Sequence, residues 1–490
     1  MAQQHFDRLS AIDASFLHQE GANSHMHVGA VTIFEGPPPA YEEFLDSIRA
    51  RLHLVPRYRQ KLTFPRFETG RPLWIDDPTF NLEFHVRQTA LPRPGAEDQL
   101  MGLTARIFSQ QLDRTKPLWE LWMVEGVEPA TPDGSRRFAL ISKTHHALID
   151  GSSGVDLATV LFDLSPVPPE IAHPDAAWSP VPVPSSATVI AGGARGAVRA
   201  GLGGVTRALS LVTKPAAVLG EVREAAAGLG EIVWAGMNPA PDTPLNVPIG
   251  PHRRFVGVRS ELRDFKLVKD TFGGTVNDVV LTAVSGSLRE FLRSRGVRTE
   301  GLELRALVPV SIRAEHEHGQ LGNRIAAMRG PLPVYVEDPV ARLRTVKAAM
   351  DDLKESKMAV GAEVLANVQN FAPPTVLAQA SRINFSTRLF NLIVTNVPGP
   401  QFPIYARGRE MQDIFPVAFL PEDHALAIAI MSYNGKVNFG LLGDYDALGD
   451  IQALADGIEH ALAELVALAK KRAGPLRTAA SAEPAALTPA

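Results

Sequence analysis

Apolar and polar residues alternate along the chain with two periods, one typical of strands and one typical of helices. Strand-like segments occur at 138–144, 304–312, 392–396, 425–432 and 436–442. The last two are separated by Asn434-Gly435, a pair that favours a tight hairpin turn. Helix-like segments occur at 152–164, 279–293, 340–356 and 451–472. The pattern predicts a mixed α/β fold without regular strand–helix–strand alternation.

A proline-rich stretch divides the chain. Seven of the nineteen residues from 166 to 184 are proline, which excludes a helix or a central strand there and favours a semi-rigid connector. The length also fits two units better than one ordinary core. We therefore expect an N-terminal lobe at 1–165, a connector at 166–245, a C-terminal lobe at 246–470 and a disordered tail at 471–490.

The second part of the connector, at 187–235, is rich in Ala, Gly, Val and Leu with scattered Arg and Lys. This composition predicts helical structure interrupted by glycine. One interpretation is a linker helix that lies on the protein. The other is an amphipathic surface that touches anionic lipid.

Composition and charge exclude several classes of protein. The 490 residues carry 49 Lys+Arg and 53 Asp+Glu, so the formal net charge is −4 and no nucleic-acid partner is expected. The chain has no cysteine, which removes disulfides, thiolate metal sites and a cysteine nucleophile. No apolar run is long enough to predict a membrane span, and no basic-then-apolar start predicts a signal peptide.

The most informative motif is the run from His145 to Gly151, which reads His-His-Ala-Leu-Ile-Asp-Gly. It follows the predicted strand 138–144 and precedes the predicted helix 152–164, a place where side chains are presented at a site. Histidine is a natural general base near neutral pH. A metal site is an alternative, although adjacent His side chains diverge in extended backbone. A structural pair that satisfies buried carbonyl groups is another.

At this motif the chain resembles the bacterial wax ester synthase/acyl-CoA:diacylglycerol acyltransferase family, within the superfamily of CoA-dependent acyltransferases. The signature HHxxxDG is intact, and further family-like motifs follow in order over roughly residues 5–470. These motifs are Leu9–Ala14, His27–Gly29, Pro56-Arg57, Leu91–Gly95, Pro117–Glu120, Asn277–Leu281, Val308–Arg313, Gly322-Asn323 and Asn396–Pro400.

The resemblance implies two lobes like those of chloramphenicol acetyltransferase, with mixed sheets and a substrate tunnel between them. It implies that His146 is the general base and that His145 shapes the site. It assigns Asn277 to polarising or orienting groups at the reaction centre, although Asn277 and Asp278 could equally cap the helix that follows. It assigns Asp150 to structure, with Arg313 as a candidate salt-bridge partner.

The resemblance further suggests a set of residues near the substrates. These are Pro117, Leu118, Trp119, Gly151, Asp278 and Arg313. The segment 358–381 is a candidate tunnel wall, and an ordinary core helix is the alternative. The spacings His25-Met26-His27 and Glu315–His318 resemble metal ligands. We expect the first to line an acceptor channel and the second to lie in a solvated loop.

The implied activity is transfer of a long-chain acyl group from acyl-CoA to diacylglycerol or a fatty alcohol, with no tightly bound cofactor and no metal. There is no Cys and no G-x-S-x-G elbow, so a direct transfer without an acyl-enzyme is the simplest mechanism. The lipid substrates place the enzyme in the cytoplasm, in peripheral contact with the membrane or lipid inclusions. Alternatives are acylation of another alcohol, such as a polyketide or glycolipid hydroxyl, and a non-catalytic lipid- or carrier-binding role.

Overall fold

A computed structural model describes residues 7–64, 71–129, 134–148, 160–174, 178–182, 238–311, 325–355 and 386–480. Its elements in chain order are α1 (Ala11–Gln19), β1 (His27–Glu35), α2 (Tyr41–Arg51), β2 (Gln60–Thr63), β3 (Leu73–Asp76), α3 (Leu82–His85), β4 (Val86–Ala90), α4 (Glu97–Phe108), β5 (Trp119–Val127), β6 (Arg137–His145), β7 (Arg253–Glu261), α5 (Leu262–Phe272), α6 (Val276–Ser294), β8 (Leu304–Ser311), β9 (Ile325–Leu332), α7 (Pro339–Glu355), β10 (Leu392–Pro398), β11 (Tyr405–Ala406), β12 (Arg409–Val417), β13 (Leu426–Tyr433), β14 (Lys436–Asp444) and α8 (Ile451–Ala480). Short 3₁₀ turns lie at Leu52–Leu54, Pro56–Arg59 and His146–Leu148.

The strands form two six-stranded mixed sheets and one small hairpin sheet. The first sheet has the order β11-β12-β1-β6-β5-β4, and the second has the order β7-β14-β13-β10-β8-β9. Most neighbours are antiparallel, but β4 and β5 are parallel, and so is β10 with both β8 and β13. The predicted mixed α/β class with mixed sheets is confirmed.

Two strands of the C-terminal half, β11 and β12, belong to the first sheet, and β12 joins it to the N-terminal half. β12 belongs to the C-terminal half, yet it pairs antiparallel with β1, so that Gly29 lies opposite Val417. The same strand β1 pairs on its other side with β6, where His27 lies opposite His145. The first sheet is therefore complete only when the C-terminal half contributes β12.

The sheets are held by three apolar clusters. One fills the C-terminal lobe around α6 and α8, and a second fills the N-terminal lobe around α2 and β6. The third lies between them and is centred on α4, whose Leu100 and Phe108 share a cluster with Phe255 of β7 and Phe415 of β12. Burial of these large side chains is the main force that joins the lobes, since each contributes about 1.5–3 kcal/mol.

Arg259 adds a polar connection to this junction. From β7 its guanidinium contacts Asp413 of β12 at 3.0 Å and Glu97 of α4 at 2.6 Å. Planar guanidinium groups bind carboxylates in this paired geometry with defined orientation. The contact therefore fixes the register of β7, β12 and α4 relative to one another.

Several predicted elements agree closely with the structure. The strand at 138–144 is β6, and the hairpin at 425–442 is β13 and β14, with positive φ angles of 42° at Asn434 and 83° at Gly435. The segments 304–312, 392–396, 279–293 and 340–356 correspond to β8, β10, α6 and α7. Within the described residues, the stretch 166–182 contains neither helix nor strand, as the prolines predict.

Two predicted boundaries differ. The helix predicted for 152–164 lies mostly outside the described residues, and its end is not helical at Asp163, which forms a β-bridge with Tyr405. The helix predicted to end at 472 continues to Ala480, so part of the tail expected to be disordered is helical. This extension contains Gly474 and Pro475, which both disfavour the interior of a helix, so residue propensity did not predict it.

None of the helices in the described part of the chain has an apolar stretch long enough to cross a membrane.

Gly29 illustrates how closely the first sheet is packed. A Cβ at this position would lie 1.8 Å from the carbonyl oxygen of Ser142 and 3.0 Å from the ring of Phe108. Such a contact with backbone cannot be relieved by a side-chain movement. We predict that Gly29→Ala lowers the free energy of unfolding by at least about 3 kcal/mol in urea denaturation.

The matched control is Gly102→Ala in α4, where no atom lies within 4 Å of the added Cβ. Alanine at this helical position is expected to raise stability by about 0.5–1 kcal/mol. Equal stability of Gly29→Ala and the unmodified protein would contradict the close packing of β1 against β6.

Candidate active site

The two histidines of the motif stand where three strands of the first sheet end. His145 is the last residue of β6, and its N–H donates to the carbonyl oxygen of Leu118 at 3.0 Å. The N–H of His146 donates to the carbonyl oxygen of Met26 at 2.8 Å. The chain segments that lead into β5 and β1 thus fix the backbone of the pair from both sides.

His146 is held between two aromatic rings. Its imidazole stacks on Phe16 of α1, with ring centroids 4.0 Å apart, and meets Phe419 edge-on at 5.7 Å. The residue is only partly buried. Its Nδ1 is buried and makes no hydrogen bond of normal geometry in the described part of the chain, which leaves Nε2 as the nitrogen that a substrate could reach.

This apolar setting determines the protonation of His146. Burial, with a smaller contribution from the neighbouring His145, lowers the pKa of His146 from 6.5 to about 4. Removing an imidazolium from water is costly, so the neutral ring is favoured. At neutral pH the ring is therefore unprotonated and able to accept a proton.

The ring of His145 points away from that of His146 and into a buried polar cluster. Its Nδ1 accepts a hydrogen bond from the N–H of Ala147 at 3.0 Å, so a neutral ring carries its proton on Nε2. That Nε2 lies 3.5 Å from Oε2 of Glu20. This distance is longer than a normal hydrogen bond, but it is short enough for an electrostatic attraction between the two groups.

Glu20 is the centre of this cluster. Its carboxylate, 1% exposed, contacts His145, His27 and Arg114, with 2.8 Å between its Oε2 and Nε of Arg114 and 3.5 Å between its Oε1 and Nε2 of His27. Burial alone would raise the pKa of Glu20, but the contacts with His145 and Arg114 lower it to about 2. Glu20 is therefore ionised, and these neighbours offset the cost of burying its charge.

Further cations and imidazoles surround the cluster. His27 is 1% exposed, and burial lowers the pKa of both His27 and His25, so both rings favour the neutral state. The expectation that this pair lines an acceptor channel is not supported at His27, which has almost no accessible surface.

Lys143 is fully buried and donates to the carbonyl oxygen of Ile107 at 2.9 Å, at the C-terminal end of α4, where a cation is favoured.

The first three residues of the family-like motif Pro117–Glu120 are buried, and Leu118 contacts the backbone of the histidine pair. Leu118 and Trp119 have no accessible surface, and Pro117 is also buried. The indole Nε1 of Trp119 donates to the carbonyl oxygen of Tyr58 at 2.8 Å, and Leu118 anchors His145. These contacts hold the end of β6 in place, and the predicted contact of the three residues with substrate stays a prediction.

Another family-like motif of the sequence lies at the start of α6. Thr275 and Asp278 form a capping box, in which Oδ2 of Asp278 accepts from the Thr275 N–H at 2.8 Å. Asp278 is 1% exposed, so capping accounts for it better than the predicted substrate contact. Asn277 differs, because it is partly exposed and its amide oxygen accepts from Nδ2 of Asn396 in β10 at 3.2 Å.

Several predicted site residues lie outside the described residues. These are Asp150, Gly151 and Arg313, together with the segments 187–235, 315–318 and 358–381. Their predicted roles stay predictions. Among the residues that the structure does describe, no group of His, Asp and Glu side chains could hold a metal ion.

Phe16, Glu20, Arg114 and Phe419 were not predicted from the sequence as site residues. One signal for Glu20 exists: it is the C-cap residue of α1, where a negative charge is disfavoured by the helix dipole. A carboxylate at that position indicates a compensating partner elsewhere. Phe419 carries no such signal, because it reaches His146 only through the crossing of β12.

Comparison with known sequences identifies relatives over nearly the whole chain. Residues 9–280 match the family described as the wax ester synthase/diacylglycerol acyltransferase catalytic domain, and residues 321–466 match the WS/DGAT C-terminal domain. The Mycobacterium tuberculosis protein named "Probable diacyglycerol O-acyltransferase tgs1" is 36% identical over 470 residues, which cover 95% of this chain and 97% of that protein.

Solved structures show the same fold. A wax ester synthase/diacylglycerol acyltransferase from Marinobacter aquaeolei VT8 superposes with a TM-score of 0.64 at 27% identity, covering 94% of this chain and all of the other. A mutant starter condensation domain of rhizomide synthetase, in complex with C8-CoA and Leu-SNAC, gives a TM-score of 0.54 at 12% identity, with 95% and 94% of the two chains covered. The latter likeness concerns the fold alone.

The buried charge on Glu20 yields a stability prediction. We expect Glu20→Gln to lower the free energy of unfolding by about 1.5–3 kcal/mol at pH 7, because Arg114 loses its charged partner. The folded-state pKa of Glu20 is about 2, below the ordinary value of 4.5. Its contribution is thus complete above pH 4.5 and is lost as the pH falls towards 2.

Urea denaturation of both proteins at several pH values checks this prediction. The difference between the unmodified protein and Glu20→Gln should shrink steadily below pH 4.5. Glu422→Gln, an exposed carboxylate on a loop, is the matched control and should leave stability almost unchanged. A Glu20→Gln difference that is independent of pH would contradict an ionised Glu20.

Proposed function

The chain belongs to the wax ester synthase/diacylglycerol acyltransferase family and is an O-acyltransferase, and we propose that His146 is the base that activates its acceptor alcohol. The acyl donor in this proposal is a long-chain acyl-CoA, and the acceptor is diacylglycerol or a fatty alcohol. The observation that carries the proposal is the geometry of His146: a neutral imidazole, held between two aromatic rings, with one nitrogen left for a substrate.

The proposed reaction is a direct transfer between two bound substrates. Nε2 of His146 accepts the proton of the alcohol while its oxygen forms a bond to the thioester carbonyl carbon. The tetrahedral intermediate then expels CoA as the carbon–sulfur bond breaks. The imidazolium returns the proton to the departing sulfur, so the products are an ester and free CoA thiol. No covalent acyl-enzyme is needed.

The environment of His146 suits this cycle. A base must be unprotonated when the alcohol binds, and the lowered pKa ensures that it is. A low pKa also weakens the base, but negative charge develops on the substrate beside the ring and stabilises the imidazolium in the same step. A positioned base accounts for about 10²–10⁴-fold of the rate, and holding the two substrates together accounts for much of the rest.

His145 and Glu20 act in this proposal as positioning residues. The carboxylate of Glu20 faces the Nε2 proton of His145, and the backbone of His145 leads directly into His146. A change in either residue would therefore move or tilt the base. Asp150, with Arg313 as its proposed partner, would stabilise the turn on the other side of the motif.

Asn277 is the proposed donor for the oxyanion. Its amide oxygen is bound to Nδ2 of Asn396, so its own Nδ2 is oriented by that contact. An amide N–H aimed at developing negative charge typically contributes about 10²–10³-fold in kcat. The pairing of Asn277 with Asn396 supports this role because it fixes the orientation of the amide.

The acyl chain of the donor would supply much of the binding energy. Each buried methylene contributes about 0.8 kcal/mol, so a chain of about 16 carbons could supply on the order of 10 kcal/mol. One methylene more or less changes discrimination by only about 1–3 kcal/mol. We therefore propose broad tolerance of chain length, with the segment 358–381 as a wall of the acyl tunnel.

The lipid nature of the acceptor suggests where the enzyme works. We propose peripheral contact with the cytoplasmic face of the membrane or with lipid inclusions. The basic and apolar segment 187–235 is one proposed contact. Diacylglycerol and fatty alcohols partition into such phases, so an enzyme that meets them there avoids extracting them into water.

His146→Ala tests the assigned base. With palmitoyl-CoA and either dioleoylglycerol or hexadecanol, we predict that release of CoA thiol falls by about 10²–10⁴-fold relative to the unmodified protein. His252→Ala, an exposed histidine in another part of the chain, is the matched control and should retain activity. Thiol release at the unmodified rate in His146→Ala would reject the assigned base.

The pH profile tests the environment of the base. Because burial lowers the pKa of His146 to about 4, kcat/KM of the unmodified enzyme should stay constant from pH 7 to about pH 5 and fall only on approach to pH 4. Intrinsic tryptophan fluorescence at each pH confirms that the protein remains folded. An acid limb centred near 6.5, the ordinary value for histidine, is the outcome that would contradict a desolvated ring.

A further inference from the structure

A cavity lies in the N-terminal lobe, and none of its lining residues belongs to the histidine motif. Its volume is about 780 Å³, which is large enough for a small-molecule ligand or a lipid headgroup. The lining residues come from the end of α2, the two 3₁₀ turns after it, the start of α3 with the residues just before it, and the proline-rich stretch itself. They include Arg49, Arg59, Phe80, Glu83 and Trp178.

Arg59 is the residue that points to a ligand. Its guanidinium lies over the ring of Trp178, 4.6 Å from the ring centroid, and its Nε is buried without a hydrogen-bond partner in the described part of the chain. The neighbouring carboxylate, Asp76, is occupied by Gln60 and by the N–H of Val181, each at 3.0 Å. Burial lowers the pKa of Arg59, and the nearby carboxylate of Asp76 offsets this effect only in part.

Other charged groups also lie at the cavity, and they do not form a hydrogen bond with Nε of Arg59. Asp46 is shared by Arg49 at 2.9 Å and His173 at 3.0 Å, so Arg49 is partly neutralised. Glu83 also lines the cavity and is exposed. Nε of Arg59 remains without a hydrogen-bond partner among the described residues, and a planar guanidinium is well suited to the oxygen atoms of a phosphate.

Exposed apolar side chains belong to the cavity lining or directly follow lining residues in the chain. Leu54 directly follows the lining residue His53 and is 46% exposed, and Phe84 directly follows Glu83 and is 38% exposed. Trp178 is itself 37% exposed. Arg87 and Lys116 lie over the ring of Phe84 at 5.2 and 5.8 Å. Aromatic rings beside basic side chains are the composition found where proteins meet the membrane interface.

We propose that this cavity binds the phosphate of an anionic phospholipid headgroup and that Leu54, Phe84 and Trp178 enter the lipid interface around it. Arg59 would bind the phosphate oxygens, and Trp178 would lie at headgroup depth. The cavity would then dock the enzyme on the surface that holds its acceptor. The purpose of this docking rests on the proposed function. The binding of the headgroup itself needs neither acyl-CoA nor an acceptor alcohol.

Vesicle flotation of the full-length protein tests the proposal. We compare vesicles of phosphatidylcholine alone with an equimolar mixture of phosphatidylcholine and phosphatidylglycerol. Arg59→Gln should weaken partitioning onto the mixed vesicles about fivefold, since each basic residue at an anionic surface contributes about that factor. Arg263→Gln, which removes an 81%-exposed arginine outside the cavity, is the matched control and should bind as the unmodified protein does.

Phe84→Ser provides a second readout should Arg59→Gln fail to fold, which a thermal melt detects. It should weaken binding to both kinds of vesicle about tenfold. Phe402→Ser, at another exposed phenylalanine, is its control. His146→Ala should bind vesicles like the unmodified protein, which separates docking from acyl transfer.

Two results would overturn the proposal. One is equal binding of mixed vesicles by Arg59→Gln, Phe84→Ser and the unmodified protein. The other is Arg59-dependent binding of inorganic phosphate or free CoA, measured by Trp fluorescence, without preference for anionic vesicles. The second result would make the cavity a site for a soluble anion.

Discussion

The arrangement of the active site depends on one buried negative charge. Glu20 ends α1 and carries a carboxylate that is almost completely removed from water. An isolated charge in that position would be very costly, so Arg114, His145 and His27 must remain beside it. Their contacts tie the end of α1 to the ends of β6 and β1. Phe16, on the same helix, is thereby brought against His146.

The second constraint is the crossing of β12 into the first sheet. This strand leads directly to Phe419, which completes the aromatic enclosure of His146. His146 is therefore held by both halves of the sequence, although the histidines themselves come from the N-terminal half. The apolar cluster around α4 and the contacts of Arg259 stabilise the same junction. The contacts that join the two lobes consequently also maintain the surroundings of His146.

Local patterns predicted the elements that depend on local physics. Strand β6, the hairpin at Asn434-Gly435 and the position of His146 after a strand all follow from periodicity and turn chemistry. The roles that depend on distant partners did not follow. Trp119 belongs to a family-like motif, which suggested substrate contact, but its burial and its hydrogen bond to the carbonyl oxygen of Tyr58 could not be predicted from that motif. The importance of Glu20 and Phe419 appears only when residues far apart in sequence are brought together.

In the proposed reaction, Nε2 of His146 meets the hydroxyl of the acceptor beside the thioester. The most direct measurement is a crystal structure with hexadecanol and a non-hydrolysable thioether analogue of palmitoyl-CoA. The account predicts an alcohol oxygen within about 2.6–3.2 Å of Nε2 of His146, on the side facing the analogue. An alcohol bound out of reach of that nitrogen, with another side chain at its hydroxyl, would contradict it.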